Sequence, residues 1–291
     1  MRRISIIPFA ASILLMMFCG QARTDFYKGI LWEISAGDTT PSYVFGPFHS
    51  DDDAILDLPV TVRKALHKSS ILVLEMSLDS ENINAMRQAA VLPAGKTLRH
   101  VIKDNLIYSE AVSSMALRGS PRNITSRLKP WAVYMSLNTP EQKSGMFQDL
   151  LLKLLAGIQN KPVASLEAAH EQVAVYDELT MAEQVELLDG LLGSYSSNDI
   201  EYEMIKGHYL ERDLAQLSRA ASVQNLEVND SLKQKMQRRL VDNRNDRMVS
   251  RMKPYLQNGD AFIAVGALHL AGANGILSQL SANGYSVTRI Y

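Results

Sequence analysis

The sequence predicts an α/β protein with a central, mostly parallel sheet built from both ends of the chain and a large helical insertion or cap between them. Three features of the 291 residues lead there. Short apolar runs rich in β-branched and aromatic residues lie near both ends, the stretch from about 80 to 258 is helical by pattern, and no Gly/Ser-rich or low-complexity tract divides the chain.

The first segment stands apart from that fold. Met1-Arg2-Arg3 precedes an apolar run over residues 4–18, and Cys19-Gly20-Gln21-Ala22 follows with small residues at Gly20 and Ala22. The run is short and interrupted by Ser5, Pro8 and Ser12, which is the pattern of a secretory signal peptide over residues 1–22 rather than of a membrane span. The expectation is a periplasmic or secreted protein of residues 23–291 with no stable membrane span after processing. Cys19 is the single cysteine, so cleavage after Ala22 would leave no disulfide, no cysteine nucleophile and no thiolate metal site.

Along the remaining chain, strands are expected at 29–34, 42–45, 70–74, 162–166, 261–265 and 285–290, the last after the turn signal Asn283-Gly284. Between them, Leu150, Leu151, Leu154 and Leu155 repeat at helical spacing and predict a helix over 144–158. A second helix is expected over 180–192, where Thr180 and Glu183 have the spacing of a capping box. The 30 Lys and Arg are matched by 31 Asp and Glu, for a formal net charge of -1, so there is no basic excess to neutralise phosphates and nucleic acid is not an expected partner.

The chemistry concentrates at strand ends. Tyr43-Val44-Phe45-Gly46-Pro47-Phe48-His49 and Ile263-Ala264-Val265-Gly266-Ala267-Leu268-His269 each run strand, glycine, two residues, histidine. A glycine leaving a strand permits a tight turn or close backbone approach, and a histidine that soon follows sits at the carboxyl edge, where open α/β sheets bind ligands. One G-x-x-H is a weak pattern that more often marks a structural histidine; two in matching contexts point to one crevice. Ile71-Leu72-Val73-Leu74-Glu75-Met76 adds a carboxylate after an apolar strand, where a buried charge must be paired or metal-bound. A salt bridge to a helix-borne arginine is the plainer account of Glu75. Two imidazoles and one carboxylate form a ligand set that suits zinc, iron or manganese, with positions left open for water.

Other polar groups carry less. Asp51, Asp52 and Asp53 are read mainly as capping a helix that starts at Ala54, and Arg244-Asn245 lies in a charge-rich helical stretch whose ordinary reading is a solvated face. His67, His100, His170 and His208 lack strand-edge context. There is no G-x-S-x-G, H-E-x-x-H or phosphate-binding glycine loop.

In order and content these blocks resemble the TraB/GumN family, which includes the animal Tiki proteins and is related to the ChaN and erythromycin-esterase folds. The resemblance spans nearly the whole mature chain. It rests on Leu31-Trp32-Glu33-Ile34, Phe45-Gly46-Pro47-Phe48-His49, Leu74-Glu75-Met76, Leu128-Lys129-Pro130-Trp131, Lys161-Pro162-Val163 with Leu166-Glu167, Gln172, Arg244-Asn245 and Val265-Gly266-Ala267-Leu268-His269-Leu270.

It implies a metal-dependent hydrolase of the cell envelope or secreted fraction, a protease or a related enzyme acting on a peptide or a small amide or ester. His49, Glu75 and His269 would be catalytic and hold a divalent ion (zinc, manganese, cobalt or iron). Arg244, matching the family's late Arg-Asn pair, would pair with Glu75 or steady a developing oxyanion. Pro47 stands where the family usually has threonine, which removes a hydroxyl and a backbone donor. Two alternatives remain at this stage: a metal-free esterase with His49 as base, and a non-catalytic protein that binds haem, a metal or an envelope component.

Overall fold

A computed structural model describes residues 26–77, 79–140, 144–195 and 198–291. The signal peptide expected over residues 1–22 lies outside the described residues. Six strands form one sheet: β1 (Leu31–Ser35), β2 (Ser42–Phe45), β3 (Ile71–Met76), β4 (Val163–Glu167), β5 (Ala261–Ala264) and β6 (Ser286–Arg289). Their order is β4-β3-β5-β2-β1-β6. β4, β3, β5 and β2 run parallel, while β1 is antiparallel to both β2 and β6. The mixed α/β sheet is thus mostly parallel, and its strands come from both chain ends as expected.

The apolar runs explain the centre of the sheet. All four residues of β5 are buried, as are Leu72, Val73 and Leu74 of β3 and Val44 and Phe45 of β2. Strands covered on both faces need continuous rather than alternating apolar sequence. At the far edge, β6 is mostly exposed, which suits its outermost position.

Strand ends differ from the expected bounds by one or two residues, and two shifts bear on the site. The helix expected over 144–158 begins only at Gln148 and runs Gln148–Ile158, with Phe147 as its cap residue. β3 extends to Met76, so Glu75 is the penultimate strand residue rather than the first residue beyond it. The capping box at Thr180 forms: its hydroxyl accepts from Glu183 N–H at 3.3 Å and its own N–H donates to Glu183 Oε2 at 2.9 Å.

Between β3 and β5 the chain forms helices from Ser80–Ala89 to Asn243–Asn258, interrupted by β4. Much of this region packs on its own apolar cluster, which includes Leu98, Val133, Leu137, Leu188 and Met236, separate from the cluster that sandwiches the sheet. Three helices turn back onto the strand ends. Gln148–Ile158 packs on β3, Asn243–Asn258 on β4 and β5, and Ala169–Asp177 directly follows β4.

Candidate active site

β3, β5 and β2 are parallel neighbours, so their carboxyl ends lie side by side and bring Glu75, His269 and His49 to one edge. The two glycine-histidine segments remain paired beyond their strands. Val265 N–H donates to Phe45 O at 3.1 Å and Ala267 N–H to Pro47 O at 3.0 Å. A Cβ on Gly46 would stand 2.6 Å from Leu270 Cδ1 and 3.0 Å from the Ala267 Cα, so this approach requires glycine.

Gly266 marks the focus. A Cβ there would lie 3.4 Å from Glu75 Oε2, 3.6 Å from His269 Cδ2 and 3.9 Å from His49 Cε1. Three side chains far apart in sequence therefore surround one point above the end of β5.

Glu75 is strongly held. Its Oε1 accepts from Gln172 Nε2 at 3.0 Å and from Arg244 Nη2, and its Oε2 accepts from Gly266 N–H at 2.9 Å. Burial pushes its carboxyl up, but Arg244, the two imidazoles and the Gly266 amide outweigh that and hold it well below the usual carboxylate range. Glu75 is thus an ionised, buried acceptor at neutral pH.

Arg244 is buried at 8 % exposure, which corrects the solvated-face reading of the Arg244-Asn245 stretch. Its Nε and Nη2 donate to Glu167 at 3.0 and 2.7 Å, and Nη2 also reaches Glu75. Glu167 ends β4, paired in register with Met76, and accepts a second guanidinium from Arg247 at 2.6 Å. Two carboxylates on adjacent strand ends are thereby neutralised by two arginines from one helix, the arrangement a buried charge needs. The plainer expectation, a helix arginine paired with Glu75, and the family-derived pairing are the same contact here. With its nitrogens committed, the guanidinium is placed to anchor Glu75 rather than to receive an oxyanion.

That helix has a further local feature. A single π-helical turn at Arg238–Asp242 directly precedes Asn243–Asn258. Such turns advance the following residues around the helix axis and recur at functional sites. Asn245, next to Arg244, is fully buried, and its Oδ1 stands 2.6 Å from His269 Nδ1. Asn245 Nδ2 donates to Asn274 O at 2.8 Å, which orients the amide so that its oxygen faces the ring. His269 Nδ1 is then the donor, and Nε2 keeps its lone pair. Burial lowers the His269 pKa to about 4, with Glu75 opposing and Arg244 adding to the shift, so the ring is neutral at pH 7.

His49 is the exposed member of the cluster, its side chain 57 % exposed and its Nε2 3.3 Å from Asp149 Oδ2. Asp149 is in the first turn of Gln148–Ile158 and is buried. Its neighbour Gln148 fastens that turn to the His49 loop. Gln148 Oε1 accepts from Phe48 N–H at 2.9 Å and from the Tyr209 hydroxyl at 2.8 Å, while Nε2 donates to Ile55 O at 2.6 Å. Burial and the nearby Glu75 charge push the Asp149 carboxyl up, and His49 pulls it back.

The donors suit a divalent ion in kind. His269, donating through Nδ1, presents the Nε2 lone pair, and Asp149 Oδ2 is a buried carboxylate oxygen without a hydrogen-bond partner. Among the described residues, however, no three His, Asp or Glu side chains are arranged as ligands around one ion. The expected trio of His49, Glu75 and His269 converges but is not a closed ligand set: Glu75 Oε1 is taken by Gln172 and Arg244, while Oε2 accepts from the Gly266 amide and keeps a second lone pair.

The remaining sequence candidates fall outside this focus. Asp52 caps the short helix Asp53–Leu56 by accepting from Ala54 N–H at 2.9 Å, and Asp51 accepts from Ser144 N–H at 2.6 Å. Sequence reasoning missed Gln148 and Asp149, since polar residues in the first turn of a helix ordinarily serve the helix itself. Glu167 and Gln172 were marked only by family resemblance, and the Asn245 contact has no sequence signal beyond its place beside Arg244.

Fold and site together define an α/β protein with a cluster of histidines and carboxylates at the carboxyl edge of its parallel strands. The chain belongs to the TraB/PrgY/gumN family, whose model matches residues 30–289. It is 23 % identical to "Metalloprotease TIKI1" of Danio rerio, covering 89 % of this chain and 63 % of that protein. It is 25 % identical to "Metalloprotease TIKI homolog" of Amphimedon queenslandica, covering 89 % and 61 %. The chain thus spans about three fifths of the length of these two relatives. It is also 25 % identical to YbaP of Shigella flexneri, covering 89 % of this chain and 94 % of that protein. No solved structure matches the chain.

Proposed function

We propose that this protein is a metal-dependent hydrolase of peptides or related small amides or esters, exported after cleavage behind Ala22, with His49, Glu75 and His269 holding a divalent ion. The observation that carries the reading is the convergence of those three side chains on the point above Gly266. Similarity to proteins named metalloproteases supports the reaction class. Among the described residues no helix is long and apolar enough to cross a membrane.

A divalent ion bound there would supply Lewis-acid activation of water and of the scissile carbonyl. The chain's own groups prepare the site. Asn245 fixes the His269 tautomer so that a neutral Nε2 is available, and Arg244 with Gly266 N–H keeps Glu75 ionised and immobile. Gln148 fastens the His49 loop to the first turn of Gln148–Ile158, so the exposed His49 ring stands on the solvent side of the cluster, where substrate would approach. Hydrolysis adds the elements of water across the acyl bond and leaves a carboxylate and an amine or alcohol.

Metal analysis of the purified protein, followed by peptide hydrolysis with and without a chelator, tests this. About one ion per chain, and cleavage that is lost on chelation and in His269→Ala, is the expected result. A second reading is a metal-free esterase with His49 as base, favoured by the nearby Asp149 carboxylate. Hydrolysis by metal-free protein, insensitive to chelators, would establish that reading instead.

A further inference from the structure

Asp149 stands beside His49 at this edge. It is 4 % exposed, and its Oδ2 is buried with no hydrogen-bond partner. A buried carboxylate oxygen that accepts no hydrogen bond is costly, and the ionisable neighbour this one faces is His49 Nε2 at 3.3 Å. The start of an eleven-residue helix offsets part of that cost, but a helix terminus does not place an oxygen toward an imidazole on another loop. The Gln148 clamp does, since it joins the turn that carries Asp149 to the backbone just before His49.

The separation of Asp149 Oδ2 and His49 Nε2 is 3.3 Å, yet the pair does not make a hydrogen bond. That combination suits two donors facing a common partner. Two ligands bound to one ion at about 2.0 to 2.2 Å stand roughly 3.0 to 3.5 Å apart and aim their lone pairs at the ion instead of at each other. Resting on the metal-dependent reading above, we propose that Asp149 is itself a metal ligand, its Oδ2 sharing one divalent cation with His49 Nε2. The site then draws a carboxylate from the helical cap as well as its donors from the sheet edge, so the cation joins the two layers.

Cobalt(II) is the probe, because its visible spectrum and tight-binding titration report ligands without a substrate. In the full chain, Asp149→Asn should weaken cobalt binding at least tenfold while the metal-free protein stays folded by circular dichroism. In a Cys19→Ser background, Asp149→Cys should bring a thiolate-to-cobalt charge-transfer band, which arises only if residue 149 touches the metal. A crystal of the unsubstituted protein grown with cobalt decides the point without a variant. Asp149 Oδ2 at about 2.1 Å from the ion supports the assignment, and a distance beyond about 3 Å overturns it. Asp149→Asn binding cobalt as tightly as the parent overturns it as well, and if His269→Ala then loses cobalt, the metal-dependent reading stands without Asp149. A parent protein that binds no cobalt, zinc, manganese or iron overturns both.

Discussion

Replacing Arg244 by alanine removes the charge that two buried carboxylates share. Glu167 keeps Arg247 at 2.6 Å, but Glu75 keeps only the neutral donors Gln172 and Gly266 N–H. Breaking a buried pair from one side typically costs about 3 to 5 kcal/mol, because the remaining charge has lost its compensation. The retained donors place Arg244→Ala near the lower end, and Arg244→Lys, which keeps the charge but not the fork, should cost about 1 to 3 kcal/mol. Urea unfolding of parent and variants at pH 7 measures both. The loss should also depend on pH in a defined direction. The folded-state pKa of Glu75 is depressed, so its contribution is fully present above the unfolded value of about 4.3 and is lost as pH falls below it. Arg244→Ala lacks that contribution, and the gap between parent and variant should narrow between pH 5 and pH 3.5. A gap under about 1 kcal/mol at pH 7, or one that stays constant down to pH 3.5, would refute the reasoning, since burial of Glu75 would then not rest on Arg244.

Three further outcomes can be measured. Gly266→Ala places a methyl at ordinary contact distance from Glu75, His269 and His49, so the thermal midpoint should move little while cobalt binding and hydrolysis fall at least tenfold; unchanged binding would show that the point above Gly266 is not where ligand sits. Asn245→Leu leaves the buried His269 Nδ1–H without its acceptor and should destabilise by about 1 to 3 kcal/mol in urea unfolding, together with a change in the ring's nitrogen shifts by NMR; a normal tautomer in the variant would remove Asn245 from the account. Amino-terminal sequencing of the exported protein should begin at Arg23, and Met1 retained in a soluble cytoplasmic species would contradict the proposed leader.

Much of the sheet was legible because covered parallel strands leave a local record. The runs over 42–45, 70–74 and 261–265 carry their burial in consecutive apolar residues, and β2, β3 and β5 formed there. The paired G-x-x-H blocks were legible for a related reason: a glycine at a strand exit permits close backbone approach, and Gly46 meets Leu270 and Ala267 as such a glycine would. Helix starts were less so. The apolar spacing of Leu151, Leu154 and Leu155 marks the body of Gln148–Ile158, but it does not say where the first turn closes.

By itself the sequence determined the strands and the strand-edge position of His49, Glu75 and His269, each written in a few consecutive residues, and the family through the order of such blocks along the chain. Only the tertiary structure decided the partners. Arg244 is one of several arginines in its stretch, and its burial follows from where the helix lands on β4, with a π turn directly before it. Asp149 lies 100 residues from His49 in the chain and reaches it because Gln148 clasps the Phe48 amide. Charge pairing and tautomer choice depend on distances of a few ångströms between segments far apart in sequence, and no local pattern records those distances.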